Sequence, residues 1–109
     1  MSRPSIGALR RRVTLQRPLR DPDDGGGVAK TWEDVAVLWA GVSALSGHEA
    51  VAAGRLSGNV THRARIRHRA DVEPEMRFAL GARVLAIVSA TDPDGRRRWL
   101  DCHCEERDL

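Results

Sequence analysis

The sequence is poor in aromatic side chains and has no long hydrophobic run. It contains three Trp, one Phe and no Tyr among 109 residues. Its longest apolar stretch, Val35–Val42, is interrupted by Gly41 and is far shorter than the ~20 residues that cross a bilayer. The amino-terminal residues include several Arg and no continuous apolar block, so we expect neither a secretory signal nor a membrane partner. We therefore expect a soluble protein with a single domain over residues 1–109.

Motifs of common catalytic sites are also missing. The sequence contains no G-x-x-x-x-G-K-[ST], no G-x-S-x-G and no H-E-x-x-H. The two cysteines, Cys102 and Cys104, flank His103, and in a strand the His side chain would point to the opposite face. These three side chains could not bind one metal ion together, so we expect reduced, buried thiols. The sequence thus predicts no enzyme, no cofactor and no metal site.

Lysine is nearly absent, because the positive charge comes from 17 Arg and one Lys. Residues 1–20 contain six Arg and residues 55–69 contain five, and neither segment has an acidic residue. Residues 101–109 are net acidic, and a second acidic cluster follows the first basic segment. That candidate acidic patch consists of Asp21, Asp23 and Asp24. The net charge of +3 is therefore the sum of separate basic and acidic segments.

Alternation of apolar and polar residues predicts about six strands and a mostly β fold. The predicted strands are Arg12–Arg17, Trp32–Leu45, Asn59–Arg69, Met76–Leu80, Arg83–Thr91 and Arg97–Cys104. Residues 18–29 are rich in Pro, Asp and Gly and predict a long exposed loop. The strand Trp32–Leu45 has apolar residues on both faces, which predicts burial on both sides. We expect a small antiparallel β-barrel or sandwich with one short inserted helix.

The inserted helix is predicted within residues 46–58. Ser46 and Glu49 have the spacing of a capping box, which indicates a helix over Gly47–Leu56. The segment has small residues and several glycines, so the helix should be marginally stable alone. We therefore expect residues 46–58 to be a mobile insertion.

One predicted strand carries a row of cations. Arg63, Arg65, Arg67 and Arg69 project from a single face of Asn59–Arg69. The row could follow the phosphates of a nucleic acid, as in a small nucleic-acid-binding β-barrel, which is the alternative function. It could equally pair with carboxylates of a neighbouring strand or subunit. Single-strand binders interleave such cations with stacking aromatics, and we expect none on this face.

The order of segments resembles the head–tail joining family of long-tailed bacteriophages, also called head-closure or stopper proteins. The matching pieces are Ile6-Gly7-Ala8-Leu9-Arg10, Arg12-Val13-Thr14-Leu15-Gln16, Trp32-Glu33-Asp34-Val35-Ala36, Val37-Leu38-Trp39-Ala40, Leu45-Ser46-Gly47-His48-Glu49, Ala52-Ala53, Val60-Thr61-His62-Arg63, Met76-Arg77-Phe78, Gly81-Ala82-Arg83-Val84-Leu85 and Asp94-Gly95-Arg96. The resemblance covers roughly Ile6 to Glu106.

The resemblance implies a ring of about six or about twelve copies in the neck of a virion or phage-like particle such as a gene transfer agent. The ring would lie below the portal and adaptor and close the DNA channel after packaging. It would also offer a docking surface to the tail terminator or tail tube. Its partners would be further copies of itself, these neighbouring rings and the packaged double-stranded DNA, with assembly in the bacterial cytoplasm.

The resemblance also implies a channel-gating role for residues 46–58. The candidate gating residues are Ser46, Gly47, His48, Glu49, Gly54, Arg55 and Gly58. A head-to-tail ring needs two different complementary surfaces on each subunit. We therefore expect either the acidic residues 21–34, with Asp21, Asp23 and Asp24, or the acidic tail of one subunit to meet the basic residues 60–69 of its neighbour.

Overall fold

The computed structural model describes residues 9–22, 28–54 and 59–107 of the chain. Its elements are β1 (Arg11–Pro22), β2 (Val28–Ala44), α1 (Gly47–Gly54), β3 (His62–Arg67), β4 (Arg77–Leu80), β5 (Arg83–Thr91) and β6 (Trp99–Arg107). The strands close into an antiparallel barrel in the order β1-β2-β3-β6-β5-β4. The predicted mostly β fold with six strands and one short helix is confirmed. Within the described ranges, no helix has the length and apolarity needed to cross a membrane.

The barrel interior is filled by the alternate residues that the sequence pattern predicts. Leu15 and Phe78 are fully buried and face each other across the β1–β4 ladder. Ala64 and Ile66 of β3 point inward, whereas the intervening Arg65 points outward. Burying a large apolar side chain contributes about 1.5–3 kcal/mol. This core therefore holds the six strands in one register.

Both cysteines lie in the core, as predicted. Cys102 and Cys104 are free thiols with no solvent exposure. Burial raises the pKa of Cys102 to about 12, and the negative charge of Asp101 adds to that shift. Burial raises the pKa of Cys104 as well. In the folded protein both groups therefore stay protonated at pH values where an exposed thiol ionises.

This burial predicts slow thiol chemistry and a loss of stability in alkali. A disulfide-exchange reagent at pH 8 should leave native Cys102 and Cys104 unmodified and should modify both rapidly in urea. In the unfolded chain a thiol ionises near pH 8.5, so the unfolded state is favoured as the pH rises from there toward 12. At pH 10 the free energy of unfolding should therefore be lower by about 2 kcal/mol per thiol than it is below pH 8.

Urea unfolding at several pH values measures this effect. Few other side chains titrate in this alkaline range, because the chain has no Tyr and one Lys. A variant with Cys102→Ala and Cys104→Ala is the control. Its stability should fall less between pH 8 and pH 10. Immediate modification of two thiols in the native protein would contradict the prediction.

The prediction of a long exposed loop over residues 18–29 is wrong for residues 18–22 and 28–29, and residues 23–27 lie outside the described residues. β1 continues to Pro22 and β2 starts at Val28, and their ladder runs from Pro18 opposite Trp32 to Pro22 opposite Val28. Backbone hydrogen bonds hold this ladder even though its sequence is polar, and proline is tolerated in a strand that has a free edge. We name the paired segments Arg17–Pro22 and Val28–Glu33 the arm.

The arm leaves the barrel at a β-bulge. Leu15 pairs with Ala36 but Gln16 pairs with Asp34, so Val35 is the extra residue. A bulge bends a strand pair and increases its twist. Beyond it the six residue pairs of the arm span roughly 20 Å. The arm pairs with no third strand, and the molecular extents of 52 × 28 × 27 Å are in keeping with an elongated chain.

The prediction that the strand Trp32–Leu45 is buried on both faces is also wrong. Its inward residues Leu38 and Val42 pack against the core. On the outward face Val37 is 58% exposed and Trp39 is 51% exposed. A closed barrel has a single interior, and no described element lies over the outside of β2 at these residues. The surplus of apolar residues in this strand is therefore on the surface.

Candidate interaction surfaces

The basic strand of the sequence analysis forms part of the outer wall of the barrel. β3 lies between β2 and β6, with Arg65 opposite Gly41 on one side and opposite Asp101 on the other. Arg63, Arg65 and Arg67 alternate with the inward residues Ala64 and Ile66, as predicted. Arg69 lies beyond the end of β3.

Arg65 and Asp101 form the most buried ion pair of the described chain. The Nε and Nη2 atoms of the Arg65 guanidinium both donate to the Asp101 carboxylate, the second at 2.6 Å. The Arg65 side chain is 20% exposed and that of Asp101 is 10% exposed. These charge-assisted hydrogen bonds raise the pKa of Arg65. Arg65 therefore joins β3 to β6 within one subunit, as expected if the row of cations pairs with carboxylates of a neighbouring strand.

The other cations of the row also have partners in their own chain. Arg69 donates two hydrogen bonds of 2.9 Å to Asp71, which lowers the pKa of that carboxyl. Arg63 lies 3.7 Å from the Glu49 carboxylate of α1. The row is therefore not a series of free cations spaced for consecutive phosphates.

The expectation that this face has no aromatic residue is wrong. Trp99 lies directly opposite Arg67 in the β3–β6 ladder, and the Arg67 guanidinium is 5.5 Å from the centre of its ring. A cation over an aromatic face is attracted by the ring quadrupole. Sequence reasoning missed the contact because Trp99 and Arg67 are far apart in the chain and only the β3–β6 register brings them together.

The predicted capping box is present at the start of α1. The Ser46 hydroxyl accepts a hydrogen bond from the Glu49 backbone N–H at 3.2 Å and donates to the Glu49 carboxylate at 3.0 Å. The helix spans Gly47–Gly54, and residues 55–58, with the candidate residues Arg55 and Gly58, lie outside the described residues. Val51 is the one large apolar side chain of α1, and because it is 69% exposed it contributes nothing to the core. His48 is exposed as well.

Between β2 and β3 the barrel wall opens into a groove that the sequence did not predict. The β2–β3 ladder contains four residue pairs and stops at Gly41 opposite Arg65, beyond which the strands diverge. A cavity of about 460 Å³ lies in this opening. We name it the notch, and its lining residues are Leu9, Val37, Leu38, Trp39, Ile66, Arg67, His68 and Arg69. The notch thus combines an apolar floor with a basic rim.

The candidate acidic patch is only partly described. Asp21 is the penultimate residue of β1 and pairs with Ala29, whereas Asp23 and Asp24 lie outside the described residues. In the acidic carboxyl-terminal segment, Glu106 is bound by Arg83 through two hydrogen bonds of 2.7 and 3.0 Å, which lowers the pKa of that carboxyl. The carboxyl-terminal acidic segment thus lies against β3 of its own chain, because Asp101 is bound by Arg65 and the Glu106 carboxylate is 3.6 Å from the His62 imidazole.

Metal ligands are not clustered in the described residues, since no group of three or more His, Cys, Asp or Glu side chains there could hold an ion. The conspicuous features are instead surfaces: a projecting arm, an apolar and basic notch, and an exposed helix. The fold and these surfaces define a small β-barrel suited to contact with other macromolecules.

Comparison with known proteins agrees with a small β-barrel that contacts other macromolecules. Residues 4–107 match the family described as phage head completion protein, and the chain belongs to that family. Family membership makes it a structural component of phage or phage-like virions. No curated protein sequence is significantly similar to the chain.

Two solved structures share its fold over nearly the whole length. The solution structure of protein SF1141 from Shigella flexneri 2a is 37% identical, with a TM-score of 0.72, and the match covers 93% of this chain and 95% of that one. A chain of the virion of a native gene transfer agent particle is 25% identical, with a TM-score of 0.69 and 98% of each chain covered.

Proposed function

We propose that this protein is a head–tail connector component that forms a ring below the portal and adaptor, closes the DNA channel after packaging and provides the attachment surface for the tail. The observation that carries the proposal is the family match over residues 4–107. The likeness to a chain of a gene transfer agent virion supports the same kind of particle. The partners of each subunit in the ring are neighbouring copies, the adaptor or portal, the tail terminator or tube, and the packaged DNA.

The shape of the subunit supports a ring. A closed ring uses a head-to-tail contact, in which one surface of a subunit meets a different surface of the next. The arm and the notch are two such different surfaces on one chain. A barrel without exposed apolar residues would give no comparable contact, whereas Val37 and Trp39 here are each more than half exposed.

Residues 46–58 are the proposed channel-gating segment. In the described part, residues 47–49, 51 and 52 of α1 are exposed, and the Glu49 carboxylate lies 3.7 Å from Arg63 of the barrel wall. Its cap gives local order, but short helices without a packed apolar face are marginally stable in water. A segment with few buried contacts can change position at low cost, which is what closing and opening a channel requires.

The proposal is tested by removing the gene from the bacterium that produces the particle. We expect heads that package DNA but fail to retain it, together with unattached tails, because the channel stays open and the docking surface is missing. Electron microscopy of the purified particles and nuclease protection of their DNA are the measurements. The wild-type gene supplied in trans is the control and should restore tailed, DNA-filled particles. Normal yields of such particles without the gene would contradict the proposal.

A further inference from the structure

Two stacked pairs of Arg and Trp lie on the outer wall of the barrel. Arg12 of β1 pairs with Trp39 of β2 in their ladder, and its guanidinium is 5.0 Å from the centre of the Trp39 ring. Arg67 of β3 pairs with Trp99 of β6 in the same way, at 5.5 Å. The four strands are consecutive in the order β1-β2-β3-β6, so the two pairs lie side by side on the wall.

The register between β2 and β3 aligns these two pairs. Gly41 is opposite Arg65 where that ladder ends. Two residues beyond that pair, the same register leads to Trp39 of β2 and Arg67 of β3, and both side chains line the notch. Cation and ring therefore alternate across the four strands. We name this set the Arg–Trp row, and its members are Arg12, Trp39, Arg67 and Trp99.

The two cations of the row are available to a ligand. Neither Arg12 nor Arg67 forms an ion pair within the described ranges, whereas Arg65 does. Both side chains are exposed. The whole chain is also net positive, with a charge of +3. An anionic ligand would therefore be attracted to this wall and would find two cations that no described carboxylate neutralises.

The rings of the row and the notch suit a flat ligand. Trp39 is 51% exposed. The notch, with a volume of about 460 Å³, lies within the size range of pockets that hold small molecules, and Leu38 and Ile66 belong to its apolar lining. His68 also lines the notch and is half-buried, and its ring nitrogens can form hydrogen bonds with the edge of a polar ring. The notch therefore has room for a planar polar group beside Trp39.

Single-stranded nucleic acid has the properties that this surface selects. Its phosphates pair with Arg side chains, and its unpaired bases stack on aromatic rings and on guanidinium planes. A duplex presents the same phosphates but keeps its bases stacked inside, so they cannot reach the rings. An acidic protein segment would pair with the cations, but the alternating Trp rings would give it no matching contact.

We propose that the Arg–Trp row binds single-stranded nucleic acid, with phosphates at Arg12 and Arg67 and a base in the notch against Trp39. The site differs from the basic strand of the sequence analysis because it crosses four strands instead of following β3, where Arg65 is already paired. It also goes beyond the proposed ring, which needs no unpaired nucleotide. A neighbouring copy that used the notch would compete with the nucleic acid, so the site belongs to the free subunit.

Fluorescence anisotropy of labelled oligonucleotides tests the proposal on the purified full chain. The probes are single-stranded oligothymidine and oligouridine of about 12 nucleotides, within the site sizes of known single-strand binders, and a DNA duplex of the same length. At least one single strand should bind, and the duplex should bind at least about fivefold more weakly because its bases cannot stack. A preference between the two single strands identifies the sugar that the site accepts, since only RNA carries the 2′-hydroxyl.

Substitution of Trp39 separates stacking from charge. Trp39→Ala should weaken binding of the single strand at least about fivefold, because it removes the ring on which a base stacks. Trp39→Phe keeps an aromatic ring and should retain most of the affinity. Neither substitution should change the affinity for the duplex, whose bases do not reach the ring.

The salt dependence counts the phosphates bound at the row. Arg12→Gln combined with Arg67→Gln should weaken binding and reduce the slope of log K against log salt by about 1.4, since each phosphate neutralised on a single strand contributes about 0.7. The matched control is Arg17→Gln combined with Arg107→Gln. It removes the same charge from two exposed cations that have carboxylate partners of their own. Its affinity and slope should stay close to those of wild type.

Circular dichroism verifies that each variant is folded. Absence of single-strand binding, equal affinity of Trp39→Ala and wild type, or equal salt slopes of the two double variants would overturn the proposal. Polyglutamate that displaces the oligonucleotide and binds Trp39→Ala as well as wild type would also overturn it, because the ligand would then be an acidic protein segment. These measurements use the isolated chain, so their outcome is independent of the particle experiment.

Discussion

Replacing Asp101 by Asn should lower the free energy of unfolding by about 2–4 kcal/mol. Asp101 is 7% exposed and receives two hydrogen bonds from Arg65, whose side chain is itself largely buried. Without the carboxylate, the Arg65 cation stays in the barrel wall with no compensating charge. Removing one member of a buried pair is costly for this reason, whereas the whole pair contributes little net stability.

Thermal and urea unfolding measure this loss. For a chain of this size, each kcal/mol corresponds to a shift in Tm of about 4–8 °C. The exposed pair of Arg17 and Glu33 is the matched control, because its side chains are 57% and 44% exposed. Glu33→Gln should change Tm very little, since water screens exposed pairs.

A double variant separates the charge from the packing. Arg65→Met combined with Asp101→Leu removes both charges and keeps apolar volume at the two positions. It should recover most of the stability that Asp101→Asn loses, because no unpaired charge remains. Equal stability of Asp101→Asn and wild type would show that the pair is not buried as described.

Shortening the arm should abolish incorporation into particles while the barrel stays folded. Replacing residues 19–31 by Asn-Gly joins Pro18 to Trp32, which already face each other in the ladder. Asn-Gly is the preferred sequence for a two-residue hairpin turn. The arm contributes no member of the buried core cluster, so the substitution removes no core contact. It also keeps the stacking of Arg77 on the Trp32 ring at 3.9 Å.

The expected result is a Tm close to that of wild type and at least about a tenfold loss of the protein from purified particles, measured by quantitative immunoblot. The loss follows from the proposed ring, because a subunit without the arm lacks one of its two different surfaces for neighbouring copies. A control variant with residues 19–31 intact and Arg96→Ser changes an exposed side chain between β5 and β6, away from the arm and outside the gating segment. It should be incorporated normally. Normal incorporation of the shortened chain would contradict the role of the arm.

The proposed function assigns separate tasks to separate parts of the chain. The barrel core holds the six strands in register, and α1 with the residues after it is the proposed channel-gating segment. The Glu49–Arg63 contact links the gating segment to β3, the strand beside the notch. A change in the position of α1 would therefore break a contact with the barrel wall at β3.

Several features of the fold could be predicted from the sequence because they depend on local pattern. Alternation in His62–Arg67 determined which side chains enter the core, since successive residues of a strand point to opposite faces. The spacing of Ser46 and Glu49 predicted the start of α1 because a cap is a contact between near neighbours. Burial of Cys102 and Cys104 followed from the same alternation in β6.

Two expectations failed where composition was taken as a measure of structure. The polar segment after Arg17 forms a strand because a ladder needs backbone groups rather than apolar side chains. The apolar residues Val37 and Trp39 lie outside because a closed barrel has one interior, and the sequence of β2 does not show how many faces will be covered.

The sequence by itself determined the six strands of the barrel, the helix cap, the buried thiols and the separation of basic from acidic segments. Only the tertiary structure decided which cations are free, because the register of β3 against β6 places Arg65 on Asp101 and Arg67 on Trp99. It also decided the position of the notch, which exists because the β2–β3 ladder ends after four pairs. Contacts between residues distant in the chain depend on register and strand divergence, and no local pattern of side chains encodes either.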